Sequence, residues 1–552
     1  MNKSCSQQYS IGIDYGTSSV RSIVVNCGNG QIIGSSVFEY SHGENGVITD
    51  DDPNLSRQHP LDYIDGLKQT VKNAVSDADI DPDLIIGIGV DATASTPIQL
   101  NENGDALVFD TYFSDKLSAL AWLWKDHTSL KEAEEITNYA QKIRPEYLTA
   151  CGGVYSSEWF WAKILNCLRN DPEVFNAADS WMELQDWIPF LLTGNRTAGL
   201  CAAGHKGLYS NTWGGFPDDE FLNAIDNRLL KVKNKLPKTA KNIGQEAGKL
   251  NFKWAKELLL PEGIPVAIGT IDAHAGAIGT GVKPGVMVKI LGTSTCDIAI
   301  TPITKKIPNI PGICGIAYES VLPNYFGIEA GQSAVGDIFN WFVNKIQPGE
   351  KLTHSELNDQ ALEIQPGTSG LLSLDWNNGN RSILTDPKLS GLIIGTTLQT
   401  TPAEIYRSLV EATAFGARII IEQLKNYDVK IDRIINCGGI AEKSPLVMQI
   451  YADVLNYTME ISSNSQSCAL GAAIAAAVVG NKYDNFEEAI DCMTMVDEKK
   501  YIPNEGNKKI YDQLFLLYKQ LHDAFGADKN GKKLNNVMKD LIKIRNQTRV
   551  GE

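Results

Sequence analysis

Two stretches of the chain share one pattern of apolar and small polar positions. In residues 10–25, apolar runs flank the small-residue turn Gly16–Ser19. In residues 286–300, apolar runs flank the similar turn Gly292–Thr295. Each pattern predicts a β-hairpin with a tight turn. Because the stretches are so far apart, they indicate two copies of one domain type rather than a solenoid repeat.

Other periodic segments complete an α/β pattern. Helical spacing of apolar residues predicts helices over residues 61–75, 183–192 and 401–420. Continuous apolar runs predict buried strands over residues 84–90 and 431–439, the second of which ends in a double glycine. Strands of this kind alternating with helices are typical of an α/β protein.

Length and the remaining segments predict how the chain is divided. A chain of 552 residues is too long for one hydrophobic core. We expect an N-terminal domain over residues 1–262 and a C-terminal domain over residues 263–552 with a helical tail. Residues 237–260 are interpreted as a polar connector before the second domain, and residues 468–477 as a helix of small residues. The tail after Pro503 is predicted to form two amphipathic helices.

Composition and charge narrow the class of protein. Hydrophobic residues make up 43% and charged residues 21%, as in soluble globular proteins. The net charge of −16 argues against a nucleic-acid partner. Ten cysteines without C-x-x-C spacing indicate reduced thiols. Residues 1–10 lack the apolar core of a signal peptide, and residues 468–480 are too short to span a bilayer. We therefore expect a cytoplasmic protein without a membrane partner.

The small-residue turns suit a phosphorylated ligand. Glycine, threonine and serine allow backbone N–H groups to approach phosphate oxygens and add hydroxyl donors. Either turn alone is more readily an ordinary hairpin turn, but both together favour a nucleotide site. No G-x-x-x-x-G-K-[ST] sequence occurs, so a Walker-type site is not expected. The predicted nucleotide contacts are Gly16, Thr17, Ser18, Gly292, Thr293, Ser294, Gly438, Gly439 and Lys443.

Two carboxylates are candidates for the chemistry. Asp14 lies in an apolar strand just before the first turn, where it would bind Mg²⁺ directly or through water, or accept nearby backbone N–H groups. Asp272 follows a buried strand and is either the base that orients an attacking hydroxyl or a helix N-cap. His274 is interpreted as structural.

In their order along the chain, these motifs resemble those of the FGGY carbohydrate kinases, within the actin, Hsp70 and hexokinase superfamily. The resemblance extends from Ile11 to about Val479. It rests on the first turn with Asp14, the Asp272 segment, the second turn, Gly331–Asp337 and the double glycine.

Within the family, the similarity is greatest to members that phosphorylate L-ribulose in L-arabinose catabolism. Residues 375–382 differ from the commoner family sequence Leu-Ser-Gly-Glu-Arg-Thr-Pro, a difference that these members share. The segments that carry the similarity are Gly89–Pro97, Trp124–Thr128, Gly152–Lys163, Ala203–Lys206, Gly292–Asp297 and Gly327–Ser333.

The resemblance implies two RNase H-like domains with ATP and a pentulose between them. It implies that Asp272 is the general base, that Asp14 lies near Mg²⁺, and that Ala94, Lys206 and Glu329 join Asp272 in holding the sugar. From the residues alone, Lys206 is more easily a surface lysine and Glu329 a buried structural carboxylate.

Three alternatives stay open at this point. One is a kinase for D-ribulose, xylulose, ribitol or glycerol, because pocket geometry decides which hydroxyls fit. The others are a non-catalytic ATP-binding protein of the actin or Hsp70 kind and a sugar-sensing regulator without catalysis. A homodimer is compatible with each of them.

Overall fold

The computed structural model describes residues 7–149, 151–303, 310–349, 351–526 and 533–541. Within these ranges, the chain builds two main sheets, one from each half. The strands are β1 (Tyr9–Tyr15), β2 (Ser19–Asn26), β3 (Ile32–Glu39), β4 (Arg57–Gln58), β5 (Ile85–Ala92), β6 (Pro97–Leu100), β7 (Ala121–Trp122), β8 (Ser180–Glu183), β9 (Glu246–Lys249), β10 (Pro265–Ala267), β11 (Thr270–Ile271), β12 (Gly285–Leu291), β13 (Thr295–Pro302), β14 (Gly315–Tyr318), β15 (Tyr325–Ala330), β16 (Leu372–Leu374), β17 (Leu392–Ile394), β18 (Ile431–Cys437) and β19 (Met459–Ile461).

Helices cover both sheets and form most of the insertions between their strands. They are α1 (Pro60–Ala78), α2 (Leu130–Ile143), α3 (Glu146–Thr149), α4 (Phe160–Asn170), α5 (Pro172–Ala177), α6 (Leu184–Thr193), α7 (Leu200–His205), α8 (Asp219–Ile225), α9 (Leu229–Lys233), α10 (Phe252–Leu258), α11 (Asp272–Thr280), α12 (Gly336–Trp341), α13 (His354–Glu363), α14 (Pro402–Asn426), α15 (Gly439–Lys443), α16 (Pro445–Leu455), α17 (Ser467–Val479), α18 (Phe486–Met493) and α19 (Glu505–Gly526).

The two main sheets repeat one topology. The first has the order β3-β2-β1-β5-β10-β9, and the second has the order β14-β15-β13-β12-β18-β19. In the first, β1, β2 and β3 are antiparallel neighbours, and β5 runs parallel to β1. In the second, β12, β13 and β15 are antiparallel neighbours, and β18 runs parallel to β12. The repeat confirms the prediction of two copies of one domain type.

Two helices cross between the domains at close range. A Cβ atom at Gly471 in α17 would overlap the carbonyl oxygen of Ala275 in α11. The same helix α17 lies on the first sheet, where a Cβ atom at Gly12 would overlap the carbonyl oxygen of Ala469. Glycine is therefore required for these backbones to approach so closely. Helix α17 belongs to the second half of the chain but packs on the first domain.

The buried apolar residues form one large cluster in each domain and a third cluster between them. The third includes Val25 of β2, Ala277 of α11, Ile298 of β13 and Ala473 of α17. Because residues of both halves share this core, the two sheets are held on either side of the crossed helices.

Most elements expected from the pattern are present. Both hairpins and the helices over residues 61–75, 183–192, 401–420 and 468–477 are confirmed. The first tail helix is confirmed as α19, whereas the second lies largely outside the described residues. All the cysteines in the described ranges are free thiols. None of the helices in those ranges is both long and apolar enough to cross a bilayer.

The interpretation of residues 237–260 as a connector is wrong. They contain strand β9, at the edge of the first sheet, and helix α10, with Leu250 and Trp254 buried. A strand of four residues shows too short an alternation to be recognised before its partner β10 is known. The boundary expected after residue 262 stays a prediction, although β10 and β11 of the first sheet follow it.

Candidate active site

A buried ion pair joins the two domains. Lys206 follows α7 in the first domain, and Glu329 lies in β15 of the second, 123 positions later. The Lys206 Nζ donates to both carboxylate oxygens of Glu329, at 3.2 and 3.3 Å. Only 6% of Lys206 is exposed, and its Nζ lies 5.4 Å from the ring centroid of Trp159. The interpretation of Lys206 as a surface lysine is therefore wrong.

The charges around Glu329 keep this pair ionised. Burial alone would raise the pKa of Glu329, but the charge of Lys206 lowers it well below its ordinary value. Burial would likewise lower the pKa of Lys206, but Glu329 raises it. A donor and an acceptor, both charged, are thus held at one place, which suits a ligand with several hydroxyl groups.

Two buried histidines lie close to Glu329. His205 Nδ1 and His274 Nε2 are each 3.8 Å from Glu329 Oε2, too far for a hydrogen bond. Burial lowers the pKa of both rings, to about 4 for His274, so both are neutral near pH 7. The sequence indicated only a structural role for His274 and singled out His205 only within a motif.

Asp272 is the first residue of α11, directly after β11. Burial and the charge of Asp14 raise the pKa of Asp272 to about 7. Its Oδ1 accepts a 2.6 Å hydrogen bond from the backbone N–H of Ala273. Ile271 occupies the N-cap position of α11, so the N-cap alternative for Asp272 is wrong. A carboxylate with a pKa near 7 can take up a proton at neutral pH.

Ala94 lies beside Asp272. It is half-buried in a small apolar cluster with Ala202 of α7 and with Ile271 and Ala273, the neighbours of Asp272. The following residue, Ser95, has a φ of 39°, a strained value for a residue other than glycine.

Two further contacts hold the Ala94 loop. The buried Lys163 Nζ donates to the Ser95 carbonyl oxygen at 2.6 Å, and Ser95 Oγ donates to Glu183 at 2.9 Å.

The structure brings together the four residues expected to hold the sugar, which are Ala94, Lys206, Asp272 and Glu329.

A second carboxylate faces Asp14. Asp14 of β1 and Asp91 of β5 are register partners on parallel strands. Burial raises the pKa of both, and the charges of Asp14 and Asp272 raise that of Asp91 further. Among the described residues, no donor reaches either oxygen of Asp91. Asp91 was not singled out from the sequence, although it interrupts a buried apolar strand just as Asp14 does.

This carboxylate pair fits a divalent cation. Asp14, Asp91 and Cys468 each place one potential ligand atom within 4.8 Å of the other two. Carboxylate oxygens are preferred by Mg²⁺, whereas a thiol is not. Two adjacent buried carboxylates are costly without a compensating positive charge. The oxygens of Asp14 and Asp91 are therefore the suitable ligands.

The first small-residue turn is held by side chains of its own domain. Gly16 N donates to the Ser19 carbonyl oxygen at 2.9 Å, as in a tight hairpin. The Thr17 hydroxyl accepts a 3.0 Å hydrogen bond from Trp124 Nε1, and Ser18 is exposed.

The second turn is more open. Gly292 N donates to the Ser294 carbonyl oxygen at 3.0 Å, and Thr293 O accepts the Val335 N–H at 2.8 Å. A Cβ atom at Gly292 would approach nothing closer than 3.7 Å, and one at Gly439 would meet nothing within 4 Å. The bare backbone leaves room for an anion.

The double glycine lies beside the second turn. Ile290 and Cys437 are register partners on the parallel strands β12 and β18, so Gly292 and Gly438 follow at neighbouring strand ends. Gly438 has a φ of 94°, which favours glycine. Lys443 is the exposed last residue of α15.

The duplicated α/β topology, with its crossed helices and its carboxylates between the domains, is the two-domain fold of the actin and hexokinase type. Solved structures share it. Gluconate kinase from Lactobacillus acidophilus matches with a TM-score of 0.79 and 20% identity, over 95% of this chain and 99% of that one. Xylulose kinase from Rhodospirillum rubrum matches with a TM-score of 0.77 and 22% identity, over 94% and 99%.

The family is defined by sequence. The N-terminal domain of the FGGY family of carbohydrate kinases matches residues 9–279, and the C-terminal domain of that family matches residues 287–479. The chain therefore belongs to the FGGY family of carbohydrate kinases and is an ATP-dependent sugar kinase.

Curated relatives match nearly the whole chain. Ribulokinase of Shouchella clausii is 39% identical over 99% of both chains. Ribulokinase of Bacillus licheniformis is 39% identical over 95% of this chain and 97% of its own. Ribulokinase of Staphylococcus aureus is 36% identical over 97% of this chain and 99% of its own.

Proposed function

We propose that this kinase transfers the γ-phosphoryl group of ATP to the 5-hydroxyl of L-ribulose, as a step of L-arabinose catabolism. The observation that carries the proposal is the buried Lys206–Glu329 pair beside Asp272, whose pKa is raised to about 7. Lysine donors and carboxylate acceptors together match a polyhydroxy ketone. The proposal is supported by relatives named ribulokinase over nearly the whole length of the chain.

Asp272 acts as the general base in this proposal. Its carboxylate accepts the hydroxyl proton while the sugar oxygen bonds to the γ-phosphorus and the bond to the β,γ-bridging oxygen breaks, releasing ADP. Only the ionised carboxylate can accept that proton. We therefore expect kcat/KM to fall as the pH is lowered through about 7, which a pH–rate profile measures.

The nucleotide lies against the second domain in this proposal. Backbone N–H groups of the turn that follows Gly292, and that of Gly439, contact the phosphates, while the first turn at Gly16 contributes from the opposite side. Asp14 and Asp91 would hold the Mg²⁺ ion that accompanies ATP. When bound, this ion neutralises charge on the phosphate oxygens.

An acceptor panel tests the proposal. Phosphorylation of L-ribulose, D-ribulose, L- and D-xylulose, ribitol and glycerol is followed by ADP release, and the product is identified from its ³¹P–¹³C couplings. We expect L-ribulose to give the highest kcat/KM and the product to carry phosphate on C5. A higher kcat/KM for another acceptor would identify that compound, and not L-ribulose, as the preferred substrate.

Membership of the kinase family decides against the non-catalytic alternatives. A kinase for another pentulose or pentitol is the second candidate, supported by the fold that this chain shares with xylulose kinases. The same panel separates the two. A homodimer stays a prediction.

A further inference from the structure

Arg381 is a cationic side chain at the cleft to which the proposed mechanism assigns no role. It is half-buried in the loop of residues 377–386 of the second domain. Within the described ranges, no acceptor takes a hydrogen bond from its guanidinium and no carboxylate lies within ion-pair distance. A guanidinium carries five N–H donors, and leaving them unpaired in a partly buried position is costly. The arginine is therefore available to a ligand.

Two hydrogen bonds hold the loop of Arg381 in place, one of them close to Glu329. Ser382 Oγ accepts the backbone N–H of Gly331 at 2.9 Å, two residues after Glu329 at the end of β15. The N–H of Ile383 donates to the carbonyl oxygen of Gly312 at 2.6 Å. Arg381 is thus held next to the strand that supplies Glu329.

The backbone beside Arg381 is strained. Ile383 has a φ of 85° and Thr385 a φ of 49°, although both are β-branched residues that strongly disfavour positive values. Such strain persists where the surroundings over-determine a conformation, and it is concentrated at ligand clamps. The loop is thus kept in one shape at a cost in stability.

Charges from both domains surround the arginine. Burial would lower the pKa of Arg381, but Glu158 of the first domain and Glu329 of the second raise it. The charge of Glu158 also raises the pKa of Lys206. Arg381, Lys206 and the two glutamates therefore form one electrostatic cluster around the sugar site. The loop reaches the first domain as well, since a Cβ atom at Gly152 would lie 3.2 Å from Thr385 Cγ2.

We propose that Arg381 binds the sugar and determines specificity, donating two parallel hydrogen bonds to oxygens on adjacent carbons of the pentulose. A planar guanidinium fits such a pair of oxygens, and it distinguishes pentuloses by the relative orientation of those oxygens. This inference rests on the proposed function, because it takes a pentulose as the acceptor. Among the charges that raise the pKa of Arg381, that of Glu158 has the largest effect.

Steady-state kinetics of Arg381→Met and Arg381→Lys test the inference, with Lys388→Met as the control. Lys388 is an exposed cation of the neighbouring surface, so its removal tests for a general charge effect. The wild-type panel first identifies the best acceptor. With that acceptor, we expect Arg381→Met to raise the sugar KM roughly 10- to 100-fold, as expected for lost hydrogen bonds to a charged group.

The split between kinetic constants separates binding from a structural role. We expect kcat to change by only a few-fold, the ATP KM to stay constant, and the ratio of kcat/KM between the best and second-best pentulose to shrink. Arg381→Lys should recover part of the sugar affinity, because it keeps the charge but not the paired donors. If Arg381→Met does not fold, Arg381→Lys alone gives the affinity and the selectivity ratio.

Three results would overturn the inference. The first is a sugar KM of Arg381→Met within twofold of wild type, and the second is a rise in its ATP KM equal to the rise in its sugar KM. The third is an unchanged selectivity ratio in Arg381→Met together with the same rise in sugar KM in Glu158→Gln. The last result would make Arg381 a contact between the domains instead. If the best acceptor is not L-ribulose, the proposed function fails, while the Arg381 inference is still tested with the pentulose found. A wild type that phosphorylates no pentulose would overturn both.

Discussion

The two copies of the domain share their strand order but differ in the chemistry at the ends of the strands. In the first copy, Asp14 of β1 and Asp91 of β5 are register partners. At the matching position of the second copy, Ile290 of β12 is the partner of Cys437 of β18. One copy therefore presents two carboxyl groups where the other presents an apolar side chain and a thiol.

The helices after the last parallel strand differ in the same way. Helix α11 of the first copy begins with Asp272, whereas α17 of the second begins with Ser467. In exchange, the second copy offers open backbone at Gly292 and Gly439. One topology thus supplies two edges of a cleft, and the residues at the strand ends leave carboxyl groups on one edge and open backbone on the other.

The largest effect is expected where the copies differ at the helix start. Asp272→Asn removes the proposed base, so turnover should fall roughly 10²–10⁴-fold while ATP binding stays nearly intact. Coupled kinase assays and calorimetric titration measure the two quantities. Ser467→Ala, at the start of the matching helix, is the control and should change turnover little. Turnover of Asp272→Asn within a few-fold of wild type would contradict its role as base.

The carboxyl pair gives the next effect. Asp14→Asn removes one of the two charges proposed to hold Mg²⁺, so the Mg²⁺ concentration for half-maximal rate should rise roughly 10- to 100-fold. A Mg²⁺ titration at saturating ATP and sugar measures it. Ile290→Val, at the matching position of the second copy, should leave the titration unchanged. If Asp14→Asn and wild type depend equally on the Mg²⁺ concentration, the proposal that Asp14 holds Mg²⁺ is wrong.

The open turn of the second copy gives a smaller effect. Gly292→Val places a branched side chain in the space left for phosphate, and we expect the affinity for a non-hydrolysable ATP analogue to fall roughly tenfold. Calorimetry measures the affinity, and thermal melting checks the fold. Gly16→Val is the companion variant that tests whether the first turn also contacts the phosphates. Unchanged affinity in Gly292→Val would exclude this turn from the nucleotide site.

The smallest effect concerns stability. Because the pKa of Asp272 is raised to about 7 in the folded protein, folding favours its protonated form, and stability is lost as the pH rises from the ordinary value toward 7. Asparagine is uncharged at every pH, so its burial does not make stability depend on pH. Asp272→Asn should therefore raise the melting temperature of the ligand-free protein by roughly 2–6 °C at pH 8 and by less than half as much at pH 5. An equal shift at both values would contradict the raised pKa.

The sequence predicts best those elements that are formed by residues close together in the chain. The hairpins at Gly16 and Gly292 were recognised because their strands and turns are continuous in sequence. Strand β9 cannot be recognised in the sequence because it has only four residues and is defined by its pairing with β10. Lys206 and Glu329 entered the site only through the family resemblance, since each alone is more easily a structural or surface residue.

The duplicated pattern, the small-residue turns, the family and the candidate carboxylates can all be read from the sequence. Three features depend on the tertiary structure: Lys206 pairs with Glu329, Asp91 lies opposite Asp14, and Arg381 has no hydrogen-bond or ion-pair partner among the described residues. Turns and periodicity are encoded within a few neighbouring positions. Ion pairing and the pKa of a carboxylate depend on burial and on charges from distant parts of the chain, which come together only when the two sheets pack around the crossed helices.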